Sequence, residues 1–188
     1  MPYRLIAMDL DDTLLTDELT VTEGTRQAMN DAIARGVHIT IATGRMFDSA
    51  QKIARQVGLN VPIITYQGSL IKNLLDEEVL YERSIPVEVA SELYEYCLAN
   101  GLHLQSYIDD KLYVPEDNDK VKGYVKQSKI PYFVETDFKR IIEHPKQTKL
   151  LIIDEPAKLD ALLPELKARF GSQVHLTKSK TNYLEFLH

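Results

Sequence analysis

An apolar run ends in an acidic cluster close to the N-terminus, in the order Leu5-Ile6-Ala7-Met8-Asp9-Leu10-Asp11-Asp12-Thr13. The apolar residues predict a short buried strand over residues 3–10. Beyond it, Asp9 and Asp11 are two residues apart, and carboxylates this close repel each other unless a cation or a shared proton lies between them. A divalent cation that prefers oxygen ligands, typically Mg²⁺, would neutralise them. The alternative is an ordinary turn or helix cap, where Asp is common.

Strands and helices alternate over the next part of the chain. The patterns predict a helix from Thr22 to Arg35, a strand over 37–42, a helix over 47–57 and a strand over 62–66. Strands that alternate with helices pair in parallel and form an α/β sheet with the helices outside. Ligands of such sheets bind at the carboxyl ends of the strands. Asp9, Thr43 and Gln67 each fall at such an end, and together they mark one edge of the predicted sheet.

The pattern changes near residue 84. The second half predicts a helix over 86–100, a hairpin over 102–114, a helix over 119–128, a strand over 149–154, a helix over 156–170 and final strands over 173–177 and 183–186. This order is typical of an α+β domain with antiparallel pairs. We therefore expect two domains, one over residues 1–83 and the other over 84–188.

The segment Thr43-Gly44-Arg45 follows the second predicted strand and leads into a helix. A hydroxyl, a backbone N–H exposed beside glycine and a helix N-terminus are the parts of a phosphate-binding site. A carboxylate such as that of Asp9 can attack phosphorus, and a neighbour such as Asp11 can transfer the protons. Thr-Gly is also an ordinary helix cap, so the prediction depends on both segments lying at adjacent strand ends.

These motifs resemble those of the haloacid dehalogenase superfamily, specifically its Cof-type sugar-phosphate phosphatases. The resemblance rests on the order and spacing of three segments: Asp9 to Thr13 followed by Leu14-Leu15, Ala42-Thr43-Gly44-Arg45, and Gln67-Gly68-Ser69. It covers essentially the whole chain. It implies a Rossmann-like α/β core with a parallel sheet, of which residues 1–83 are the N-terminal part, and an inserted α/β cap domain over residues 84–188.

The resemblance also implies a role for each residue of the motifs. Asp9 would be the nucleophile and a ligand of Mg²⁺, and Asp11 would be the general acid and base that binds Mg²⁺ through its backbone carbonyl. Thr43 would hold the transferring phosphoryl group, helped by the backbone N–H groups of Leu10 and Gly44. Arg45 has two open interpretations: it contacts the substrate phosphate, or it pairs with a core carboxylate.

Two features depart from the family pattern. Gln67 stands where family members commonly have Asn. The family also has a charge-steadying lysine and a Gly-Asp motif of the magnesium site after the cap, whereas Lys178 and Lys180 come too early for that role and are expected on a hairpin surface. We therefore expect a chain truncated after the cap, without the C-terminal part of the core and with an open sheet edge and an exposed apolar face.

The resulting hypothesis is a magnesium-dependent phosphatase that hydrolyses small phosphorylated metabolites, such as sugar phosphates, through an aspartyl-phosphate at Asp9. A phosphomutase of the same superfamily would pass the phosphoryl group to a sugar hydroxyl instead. A third possibility is an inactive, truncated remnant that binds a phosphate-bearing ligand without turning it over.

Composition excludes several other classes of protein. The 188 residues are 44% hydrophobic and carry a net charge of −6 without a dense basic run, so we expect no nucleic-acid partner. Cys97 is the sole cysteine, which excludes an internal disulfide and, with no Cys/His spacing typical of zinc, favours a reducing cytoplasm. No apolar stretch approaches the roughly 20 residues of a membrane span, so we expect no membrane partner. The oligomeric state is left open.

Overall fold

The computed structural model describes residues 3–188, so Met1 and Pro2, at the start of the predicted first domain, lie outside the described residues. The chain divides into two compact units, the first ending at Glu82 and the second running from Arg83 to His188. No helix in the described part of the chain is long and apolar enough to cross a membrane.

The first unit begins with two parallel strands joined by a helix. Strand β1 (Leu5–Met8) pairs with β2 (His38–Ile41), and helix α1 (Glu23–Ala34) connects them. Thr22 is the N-cap of α1, where its hydroxyl accepts a hydrogen bond from the Thr25 N–H at 3.1 Å. The predicted parallel pair, the helix and its cap are therefore present.

Exposure of β1 differs from the predicted burial. Leu5 and Ile6 are 58% and 38% exposed, so the prediction of a buried first strand is wrong. The reason is that β1 pairs with β2 alone among the described residues, and so small a sheet has few neighbouring side chains to cover its faces.

The third strand has a parallel neighbour on one side and an antiparallel neighbour on the other. Helix α2 (Phe47–Gln56) leads to β3 (Ile63–Thr65), and a parallel bridge joins Ala42 to Ile64. The chain then folds back through β4 (Leu70–Lys72) and β5 (Val79–Glu82), both antiparallel. These two strands were not predicted, because segments of three or four residues are too short to show a clear alternation.

The second unit is a six-stranded sheet with helices. Its elements, in chain order, are α3 (Val87–Ala99), β6 (His103–Ile108), β7 (Lys111–Val114), α4 (Asp119–Ser128), β8 (Tyr132–Val134), α5 (Phe138–Ile142), β9 (Gln147–Ile153), α6 (Pro156–Phe170), β10 (His175–Lys180) and β11 (Tyr183–Leu187). The strand order is β10-β11-β9-β6-β7-β8, and all pairs are antiparallel except β7 with β8. The predicted hairpin and helices are present, whereas β8 and α5 were missed.

The two faces of this sheet differ in chemistry. One face joins α3, α5 and α6 in an apolar core that includes Leu104, Leu150 and Phe186. Successive side chains of a strand point to opposite faces, so Lys149 and Glu185 lie on the other face. Their ammonium and carboxylate groups are 2.9 Å apart and only 5% and 7% exposed. This polar face is buried, which periodicity alone does not predict.

Candidate active site

The turn after β1 holds the acidic cluster. Leu10 and Leu14 are buried and anchor the turn, and the Leu15 N–H closes it on the Leu10 carbonyl at 2.9 Å. Asp12 adopts a left-handed backbone with φ of 56°, a conformation that Asp tolerates better than most residues. Asp9 is exposed, and its carboxylate accepts a hydrogen bond from the Leu10 N–H at 2.7 Å. The leucines thus fix a turn that carries its carboxylates on the surface.

The turn after β2 contains the predicted phosphate-binding segment. Thr43 is buried, and its hydroxyl accepts a hydrogen bond from the Arg45 N–H at 3.3 Å, which leaves the hydroxyl proton free to be donated. Helix α2 starts directly afterwards, with Met46 as its N-cap. The thioether of Met46 makes no cap hydrogen bond, and the N-terminus of α2 carries the positive end of the helix dipole.

The turn after β3 is tied to the turn after β2. The Gln67 N–H donates to the Thr43 carbonyl at 3.1 Å, and the Tyr66 N–H donates to the Arg45 carbonyl at 3.0 Å. A Cβ added to Gly44 would lie 3.3 Å from the Gln67 Cγ, so glycine allows the two turns to approach closely. The Gln67 side chain therefore borders the predicted phosphate-binding segment at Gly44. The spacing of residues in the sequence could not reveal this contact.

Arg45 joins the second turn to the acidic turn. Its Nε and Nη2 donate to Oδ2 and Oδ1 of Asp11 at 2.8 and 2.5 Å. This hydrogen bonding raises the pKa of Arg45 against the effect of burial, with further support from the charges of Asp11 and Asp9. Of the two interpretations of Arg45, the structure shows the one in which it pairs with a carboxylate. The hydroxyl of Ser49, which sequence reasoning missed, accepts from Arg45 Nη1 at 3.4 Å.

All the residues predicted for the site thus lie in three adjoining turns of the first unit. Asp11 meets Arg45, and Thr43 and Gly44 meet Gln67. The sequence carried no direct signal for Ser49, because Arg45 precedes α2 and the helical spacing rule does not apply to this pair.

The oxygen atoms of this site are of the type that a hard cation binds, but there are fewer of them than such a cation needs. Carboxylate and carbonyl oxygens are the ligands that Mg²⁺ prefers. Over residues 3–188, however, no three Asp, Glu, His or Cys side chains group in a way that could hold a metal ion. The carboxylate of Asp11 is engaged by Arg45. The predicted ligands, the Asp9 carboxylate and the Asp11 backbone carbonyl, would supply only part of the oxygen shell of such a cation.

Sequence comparison identifies the family. The family described as haloacid dehalogenase-like hydrolase matches residues 6–188. A predicted phosphatase of Streptococcus pyogenes serotype M6 is 30% identical over the whole chain, which spans 71% of that relative. The HMP-PP phosphatase of Cronobacter sakazakii is 27% identical over 98% of the chain and 66% of its own length.

A solved structure agrees with these relatives. A crystal structure of a Thermotoga maritima protein superposes with a TM-score of 0.87 at 36% identity, covering 99% of this chain and 69% of that one. The chain belongs to the haloacid dehalogenase-like hydrolases. The predicted resemblance to this superfamily, the α/β fold class and the assignment as a phosphomonoester hydrolase by family are confirmed.

Proposed function

We propose that the protein is a magnesium-dependent phosphatase of small phosphorylated metabolites that works through an aspartyl-phosphate at Asp9. The observation that carries this proposal is the contact between the acidic turn and the Thr43 turn, made by the Arg45–Asp11 pair. This contact supports the proposal, because it would keep the turn that carries Asp9 near the predicted phosphate-binding segment. The name of the HMP-PP phosphatase relative supports a small phosphorylated substrate.

The first step would be attack of a carboxylate oxygen of Asp9 on phosphorus. The bond from phosphorus to the ester oxygen breaks, and that oxygen takes a proton from Asp11. The Thr43 hydroxyl and the N–H groups of Leu10 and Gly44 would donate to the phosphoryl oxygens. In the structure the Leu10 N–H donates to Asp9, so this bond must be exchanged when a phosphoryl group arrives.

The second step would release phosphate. Asp11, now ionised, takes a proton from water, and the oxygen of that water bonds to phosphorus while the bond to Asp9 breaks. The Arg45 guanidinium, which pairs with the Asp11 carboxylate, would hold that carboxylate in position for this step. Mg²⁺ held by the Asp9 carboxylate and the Asp11 carbonyl would neutralise negative charge around the phosphoryl group.

We also propose that residues 1–83 are the N-terminal part of the catalytic core and that residues 84–188 are the cap. The change from a parallel strand pair in the first unit to a mainly antiparallel sheet in the second supports this division. A cap of this kind would limit access of water and select the substrate.

Hydrolysis of para-nitrophenyl phosphate by the purified chain tests the proposal. We expect magnesium-dependent release of phosphate without an added acceptor alcohol and loss of release in Asp9→Asn. Phosphoryl transfer that requires a sugar acceptor would instead indicate a phosphomutase. A folded wild-type chain that binds phosphate without any turnover would contradict the proposal and support the inactive phosphate binder.

A further inference from the structure

The turn after β3 has a strained backbone. Tyr66 and Gln67 have φ of 49° and 53°, and Gly68 follows them with φ of 103°. A Cβ is disfavoured in this left-handed region, whereas glycine adopts it without steric cost. Two consecutive residues with a Cβ therefore need a reason for their place in the turn, and strain of this kind is common at functional sites.

Burial explains Tyr66. Its side chain is fully buried, so the packing of its ring offsets the cost of its backbone. Hydrogen bonds close the turn around it: the Ser69 N–H donates to the Tyr66 carbonyl at 3.0 Å, and the Thr65 hydroxyl donates to the Leu70 carbonyl at 3.2 Å. Tyr66 is therefore in the turn for structural reasons.

Burial does not explain Gln67, which is exposed. Its backbone N–H donates to the Thr43 carbonyl at 3.1 Å, but glycine would supply the same N–H with less strain. What glycine would not supply is the carboxamide side chain. The reason for glutamine at this position therefore lies in that side chain and in the residue that it contacts.

The residue that it contacts is Gly44, whose own backbone does not require glycine. Gly44 lies outside the left-handed region, so its φ would suit other residues as well. The atoms nearest to an added Cβ would all belong to Gln67, with Cγ at 3.3 Å and Nε2 at 3.4 Å. Glycine at position 44 thus makes room for the Gln67 side chain. Neither residue suits its own backbone best, and the contact between them explains both.

From this contact we propose that Gln67 is a positioning residue for the phosphoryl group. Its side chain packs on Gly44 and its backbone N–H binds the Thr43 carbonyl. Together these contacts would hold the predicted phosphate-binding segment so that the Gly44 N–H and the Thr43 hydroxyl face the phosphoryl oxygens. The inference rests on the proposed function, because it assigns Gln67 a role at the same site.

Gln67→Gly removes the side chain and suits the backbone. We expect the urea midpoint of unfolding to stay the same or rise, and kcat for para-nitrophenyl phosphate to fall at least about fivefold. Lys129→Gly is the matched control, because Lys129 is also exposed, has φ of 55° and lies in the second unit. It should not lower the midpoint and should leave turnover unchanged. A purely structural Gln67 would instead lower the midpoint and turnover together.

Gln67→Glu keeps the shape of the side chain and adds a negative charge. We expect KM for para-nitrophenyl phosphate and the dissociation constant of inorganic phosphate to rise about fivefold or more, and less so at high salt. Gln56→Glu adds the same charge at the exposed last residue of α2 and should change both values less than about twofold. Phosphorus NMR measures phosphate binding without turnover, and circular dichroism checks that each variant folds.

Turnover and phosphate binding together distinguish failure of this inference from failure of the proposed function. An active wild type, with Gln67→Gly and Gln67→Glu equally active and equally able to bind phosphate, would overturn the role of Gln67 alone. A folded wild type without turnover, whose phosphate binding is weakened by Gln67→Glu, would overturn the proposed function and support the place of Gln67 beside the phosphoryl group. Absence of both turnover and phosphate binding in the folded wild type would overturn both.

Discussion

The guanidinium of Arg45 donates two hydrogen bonds, of 2.8 and 2.5 Å, to the carboxylate of Asp11. The two residues are 34 positions apart in the chain, in the turns after two neighbouring parallel strands. Their contact joins the acidic turn to the turn that contains Thr43. The side chains are partly exposed, at 23% for Arg45 and 48% for Asp11. We therefore expect the pair to position the Asp11 carboxylate rather than to add much to the free energy of unfolding.

Arg45→Ala should therefore lower turnover much more than it lowers the free energy of unfolding. We expect the free energy of unfolding to fall by less than about 1 kcal/mol, because exposed ion pairs contribute little. Turnover of para-nitrophenyl phosphate should fall at least about tenfold, because Asp11 loses its orienting partner. Chemical denaturation and steady-state kinetics measure the two effects. Arg26→Ala, which removes the exposed pair with Glu23, is the matched control and should leave turnover unchanged.

Asp9→Asn should abolish hydrolysis. Loss of a covalent nucleophile typically costs more than about 1,000-fold in turnover, and an amide cannot form the acyl-phosphate. Phosphate release measures this loss, and Asp17→Asn, an exposed residue beyond the acidic turn, is the control. Turnover of Asp9→Asn close to that of the control would show that another residue attacks phosphorus.

The close approach of Gly44 to Gln67 can be tested with a double-mutant cycle. Gly44→Ala adds a Cβ that would lie 3.3 Å from the Gln67 Cγ, so we expect a stability loss of about 1 kcal/mol. Gln67→Ala removes the obstructing atoms, and in its background the same change should cost less. Equal costs in both backgrounds, measured by urea unfolding, would mean that the two residues are not coupled.

Stability should depend on pH through His103. Burial lowers the pKa of His103 from 6.5 to about 4, helped by the charge of Lys120. The unfolded chain thus binds the proton more tightly, and the free energy of unfolding should fall as the pH drops from 6.5 towards 4, by up to about 3 kcal/mol. Urea unfolding at several pH values measures this slope. His103→Gln should flatten it, whereas the exposed control His175→Gln should not.

The buried pair of Lys149 and Glu185 should be costly to break. Lys149→Met leaves the Glu185 carboxylate without its ammonium partner at a position 7% exposed, so we expect a loss of about 3–5 kcal/mol. The double variant Lys149→Met/Glu185→Leu removes both charges and should recover much of that loss. Thermal and urea unfolding compare them. A double variant as unstable as the single one would show that steric fit, not the unpaired charge, sets the cost.

Local signals in the sequence predicted much of the fold. Thr22 caps α1 and Pro156 opens α6, as expected from residue types that suit helix starts. Asp109 and Asp110 turn the hairpin with φ of 47° and 59°, a conformation that Asp adopts at modest cost. Strands β4, β5 and β8 were not predicted, because each is short and depends on pairing with its neighbours.

For the candidate site, the sequence by itself determined which residues belong to it, because Asp9, Asp11, Thr43 and Gly44 follow predicted strands and the carboxyl ends of parallel strands lie at one edge. Only the tertiary structure decided their partners. Arg45 pairs with Asp11 and Gln67 packs on Gly44 because folding brings separate turns within hydrogen-bonding or van der Waals distance. Periodicity within one segment carries no information about such long-range contacts, since they depend on how the strands are placed side by side.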